Sequence, residues 1–122
     1  MIDSNLLDSS VWISYLFEGE NIKEIETEKP TLLSVLSLFE IKTRLTKKQV
    51  EPQKIKEKLE FIKKRAILID TNTSIAEKAS EIAIKHNIPA IDSLIYATAI
   101  LNKAKLITLD NDFRGLPDAI VL

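Results

Sequence analysis

The stretch KLITLDNDF, residues 105 to 113, carries Leu106, Ile107 and Leu109 into two acids, Asp110 and Asp112, with only Asn111 between them. One Asp or Asn satisfies a turn by hydrogen-bonding its own backbone, so the second acid asks for another reason. The N-terminus has a similar arrangement. There Leu6 and Leu7 run into Asp8, followed by Ser9 and Ser10. Two separate apolar segments therefore end on a carboxylate.

Apolar segments of strand length recur at 5 to 8, 31 to 35, 66 to 69, 105 to 109 and 119 to 122. Helix-like stretches separate them at 10 to 18, 35 to 48, 52 to 64, 74 to 86 and 92 to 103. Leu38, Ile41 and Leu45 recur at helical spacing, as do Ile55, Leu59 and Ile62. Ile75, Ala79 and Ile82 repeat the pattern behind Ser74 and Glu77, which read as a capping box. Strands alternating with helices imply right-handed crossovers and a parallel sheet covered on both faces. The expected fold class is α/β, a three-layer α/β/α arrangement.

A chain of 122 residues suits one domain spanning 1–122, with a core large enough to need no disulfide or metal staple. With 45% hydrophobic and 29% charged residues, it is no disordered tail. The absence of cysteine excludes thiol catalysis, thiolate zinc sites and disulfides, and points to an intracellular setting. No apolar run reaches the ~20 residues of a membrane helix, and MIDSNLLDSS lacks the order of a signal peptide. A cytoplasmic protein with no membrane contact is expected. The net charge of -1 gives no global attraction to nucleic acid, so any such binding must come from a local patch. With only Gly19 and Gly115, no glycine-rich phosphate loop exists.

In an open α/β sheet, ligands bind beyond the carboxyl ends of the strands. Asp8 and Asp110 stand at such ends. On neighbouring strands they would lie ~4.8 Å apart and could share a cation. Glu40, early in the helix after the second strand, and Asp92, opening the helix before the fourth, could join them. Singly, each acid has an ordinary explanation. Glu40 can pair with Arg44, Asp92 can cap its helix beside Pro89, and Asp8 and Asp110 can end strands. Together they occupy markedly apolar surroundings (LLD, LFEI, AIDSLI, ITLD), where unpaired carboxylates are costly. Clustered hard oxygen donors suit Mg²⁺ or Mn²⁺.

The pieces LLDSSVW, SLFEI, IPAIDSLIYATAI and LITLDNDF, in this order, resemble the PIN-domain family, metal-dependent ribonucleases that include the toxins of VapBC toxin–antitoxin pairs. The resemblance spans essentially the whole chain. It implies a five-stranded parallel sheet of order 3-2-1-4-5, which makes the strands of Asp8 and Asp110 neighbours. It also implies that Asp8, Asp92 and Asp110 hold the metal directly or through water, with Glu40 a further ligand or a base. Asp112 would support the site or serve as the turn acid before Phe113. Ser9 or Ser10, and Thr108, would stand beside the acids, or else cap a helix and favour a strand. A bound Mg²⁺ would neutralise a phosphate oxygen and lower the pKa of a water for attack on the phosphodiester. Lys42, Arg44, Lys47 and Lys48 would contact RNA or form a solvated face. A homodimer and a small antitoxin partner are implied as well, and the amphipathic helices at 35 to 64 offer an apolar groove.

Two other readings compete. A receiver domain has this length and an acidic Mg²⁺ pocket, with Asp70 as its phosphoacceptor. It wants adjacent acids after the first strand and a Lys ending the last, where Ser9, Val121 and Leu122 stand. The other is an inactive binding module on the nuclease fold. His86 reads as a helix-end residue beside Asn87, and Trp12, Tyr15 and Leu16 as core or dimer contact.

Overall fold

The computed structural model describes residues 4–122. Its strands are β1 (Asn5–Leu7), β2 (Thr31–Ser34), β3 (Ile67–Ile69), β4 (Lys105–Thr108) and β5 (Ala119–Val121). Helices α1 (Ser9–Glu18), α2 (Ile22–Ile25), α3 (Val35–Lys47), α4 (Pro52–Arg65), α5 (Thr73–His86) and α6 (Ala90–Leu101) connect them, with a 3-10 turn at Asn111–Phe113. The five strands form one sheet in the order β3-β2-β1-β4-β5, and every pairing is parallel.

The central strands β1, β2 and β4 each carry two consecutive apolar residues because the middle of the sheet is buried on both sides. Successive residues of a strand point to opposite faces. Leu6, Leu32 and Leu106 accordingly join Ile75, Ala79, Ile82, Ile95 and Tyr96 from α5 and α6 in one core. Leu7, Leu33 and Ile107 join Val11, Trp12, Ile41, Leu45, Ile55 and Ile62 from α1, α3 and α4 in the other. The helical stripes of the sequence are thus the faces turned to the sheet. Trp12 is fully buried, and His86 ends α5 before Asn87, whose φ of 52° closes the helix in the left-handed region. Tyr15 stacks on Phe61, with ring centroids 6.2 Å apart.

Helix starts differ from the sequence reading in three places, the first being α1, which opens at Ser9 and is capped by Asp8 rather than by Ser9 or Ser10. Ser74 does not cap α5. Asn72 does, accepting a hydrogen bond from the Ile75 amide at 2.9 Å, because its extended backbone aims the side chain at the helix end. Asp92 does not cap α6 either. The helix begins at Ala90 behind Pro89, which has no capping group, and Asp92 lies inside the first turn. The capping explanation for that acid is removed, and its carboxylate is left for another use.

Candidate active site

The carboxyl ends of β1 and β4 face one cavity of about 300 Å³, lined by Asp8, Ser9, Ser10, Glu40, Arg44, Asp92 and Asp110. All four acids singled out in the sequence meet there. Their approach differs from a direct pairing across the sheet. Leu7 is in register with Ile107, so the next residue, Asp8, stands opposite Thr108, and Asp110 lies two residues beyond. Thr108 Oγ1 accordingly donates to Asp8 Oδ2 at 2.8 Å.

Asp8 is buried, and donors surround it. Ser10 Oγ donates to Oδ2 at 2.9 Å, and the Ser9 amide donates to Oδ1 at 2.8 Å as the cap of α1. Ser9 Oγ reaches Glu40 Oε1 at 3.1 Å, tying α1 to α3. Glu40 therefore meets a hydroxyl, and its carboxyl is pushed up chiefly by desolvation and further by the charge of Asp8, while the Ser9 hydrogen bond and Arg44 oppose this. Asp110 caps the 3-10 turn by accepting from the Asp112 amide at 2.9 Å.

Asp92, Asp110 and Asp112 each place a carboxylate oxygen within 4.8 Å of the others, an arrangement able to hold a cation. Asp112 belongs to this cluster as well as to the turn, and its side chain is exposed. Asp92 records the crowding most strongly. Its pKa is pushed up to about 6 by desolvation first and then by the charges of Asp110, Asp8, Glu40 and Asp112. Clustered hard oxygen donors of like charge fit a divalent cation.

The four cations of α3 and its cap separate. Arg44 lines the acid cavity. Lys42 and Lys47 instead line a hollow of about 680 Å³ between α3 and α4, and Lys48 Nζ sits 5.5 Å from the centre of the Phe17 ring. The sequence reading missed Glu18 in the cavity wall. Its signal was helical period, since Ser10, Ser14 and Glu18 follow one another at intervals of four along α1.

A parallel three-layer α/β domain with converging acids at the carboxyl edge of its central strands defines the class to which this chain belongs. The sequence pattern of the PIN domain matches residues 6–119, and the chain belongs to the PIN domain family. No curated protein matches it. Its fold is similar to that of a toxin–antitoxin complex from Klebsiella pneumoniae, at 24% identity and TM-score 0.80 over 96% of both chains. It is similar also to DNA-bound VapBC from Salmonella typhimurium, at 19% identity and TM-score 0.80 over 100% of this chain and 98% of that one. A third solved structure is VapC20 of Mycobacterium tuberculosis, a sarcin–ricin loop cleaving toxin, at 14% identity and TM-score 0.72 over 93% and 95% of the two chains.

Proposed function

We propose that this PIN domain, acting as one unit over residues 1–122, is a Mg²⁺- or Mn²⁺-dependent endoribonuclease and the toxin of a toxin–antitoxin pair. The observation that carries the reading is the convergence of Asp8, Glu40, Asp92 and Asp110 on one cavity at the carboxyl ends of β1 and β4, where desolvation first, and then the neighbouring carboxylates, push Asp92 up to about 6. Asp8, Asp92 and Asp110 would hold the cation, with Asp112 as a further donor. When bound, the ion neutralises phosphate charge and lowers the pKa of a water. Glu40, held by Ser9, orients the attacking water and takes its proton. Arg44, the cation of the cavity wall, meets the phosphate. Purified protein is expected to cleave single-stranded RNA with Mg²⁺ or Mn²⁺ and to stop when EDTA is added. Intact RNA across a varied panel, with metal binding retained, would make the chain a binding module.

The partner reading rests on the hollow between α3 and α4. Val35, Leu38, Phe39 and Leu59 line it among Lys42, Lys47 and Lys63, and Phe39 is 67% exposed. An apolar floor with lysines around it fits an amphipathic helix bearing acids, the form expected of an antitoxin tail. Phe39→Ala is expected to weaken binding of the protein encoded by an adjoining small reading frame at least tenfold, since exposed aromatics anchor such contacts by about 2 kcal/mol or more. Unchanged affinity by calorimetry would remove the groove from the interface. A homodimer in the cytoplasm completes the proposal, and light scattering that finds only monomer at high concentration would contradict it. Among the described residues, no helix is long and apolar enough to cross a membrane.

A further inference from the structure

The register of β1 and β4 leaves Asp110 two residues beyond the position opposite Asp8, so something other than the sheet must set their separation. Two hydroxyls bridge that gap. The Leu109 amide donates to Ser10 Oγ at 3.0 Å, and the Asp110 amide donates to Thr108 Oγ1 at 3.0 Å. Ser10 Oγ in turn donates to Asp8 Oδ2 at 2.9 Å, and Thr108 Oγ1 donates to the same oxygen at 2.8 Å. A hydroxyl has one proton and two lone pairs. With both protons turned to Asp8, each oxygen keeps its lone pairs for an amide, and the 3.4 Å approach of Ser10 to Thr108 carries no proton. Two successive amides of the loop after β4 therefore hang from one carboxylate oxygen through parallel relays.

We infer that Ser10 is a positioning residue, which together with Thr108 sets Asp110 relative to Asp8 and so governs the affinity of the site for a divalent cation. This rests on the reading of the acids as a cation site. The two relays are not equivalent. Thr108 holds an amide only two residues away, whereas Ser10 reaches from the first turn of α1 across to Leu109. Removing the Ser10 hydroxyl leaves the Leu109 amide without this acceptor and the loop attached on one side. Ser9 has a different task, since its hydroxyl joins Asp8 to Glu40.

Calorimetric titration of Mn²⁺ into EDTA-stripped full-length protein tests this. Ser10→Ala is expected to weaken Mn²⁺ binding about 10- to 100-fold, as loss of an outer partner does at other metal sites, and Ser10→Thr to restore most of it. Ser93→Ala is the control, because that buried hydroxyl, beside Asp92, donates to the Pro89 carbonyl at 2.9 Å within its own helix. Its Mn²⁺ affinity should stay at the wild-type value. RNA cleavage by Ser10→Ala should recover at saturating Mn²⁺, which a variant that is merely less stable would not show. If Ser10→Ala fails to fold, Thr108→Val carries the same expectation of weaker binding. A folded Ser10→Ala or Thr108→Val that binds Mn²⁺ like wild type overturns the inference. Wild type that binds Mn²⁺ without cleaving RNA defeats the nuclease reading alone, and wild type that binds no Mn²⁺ defeats both.

Discussion

Asp8→Asn, Asp92→Asn and Asp110→Asn are each expected to lower RNA cleavage by about a thousandfold or more. Each change keeps the shape of the side chain and removes one charge from the cavity. A metal site supplies several kcal/mol of charge stabilisation in a displacement of this kind, and about 4 kcal/mol corresponds to a thousandfold in rate. Glu40→Gln should be comparably damaging, because its carboxylate is assigned the proton of the attacking water. Asp112→Asn should cost much less, about tenfold, since that side chain is exposed and its neighbours can retain the ion. Single-turnover cleavage of one RNA by the five variants checks the order, with circular dichroism to show that each is folded. Equal activity of wild type and Asp92→Asn would remove Asp92 from the chemistry.

The second large effect is on stability in the absence of metal. Asp92 titrates near 6 in the folded chain, against 3.8 as its ordinary value. Between those values the folded chain keeps a proton that the unfolded chain has released. Stability therefore falls as pH rises through this window. Asp92→Asn carries no charge there and escapes the loss. In EDTA, the variant should match wild type at about pH 3.5 and exceed it at about pH 7.5, by roughly 1 kcal/mol once solvent screening of a half-exposed group is allowed for. Urea midpoints at the two pH values measure it. A variant less stable than wild type at both would mean that Asp92 makes a favourable contact instead.

Much of this was legible in the sequence, for physical reasons. A parallel strand buried on both faces is a continuous apolar run, so Leu6 with Leu7, Leu32 with Leu33 and Leu106 with Ile107 marked the central strands. Four acids in apolar surroundings marked the cavity, since isolated carboxylates do not persist there. Three things were hidden. The register, which puts Thr108 rather than Asp110 beside Asp8, depends on backbone pairing that composition does not encode. The cap of α5 is Asn72, because the local backbone chose between several competent side chains at 71 to 74. The four-residue α2 and the 3-10 turn at 111 to 113 are too short to carry a period.

That the acids act as one cation site, and are not separate strand ends and caps, is tested most directly by thermal melts of wild type, Asp8→Asn and Asp92→Asn with Mg²⁺ and with EDTA. Mg²⁺ at a hundredfold excess over its Kd should stabilise wild type by ~2.7 kcal/mol. It should barely move either variant, and in EDTA Asp92→Asn should melt above wild type because a repelling charge is gone. Melting curves that ignore Mg²⁺ in all three proteins would contradict the account.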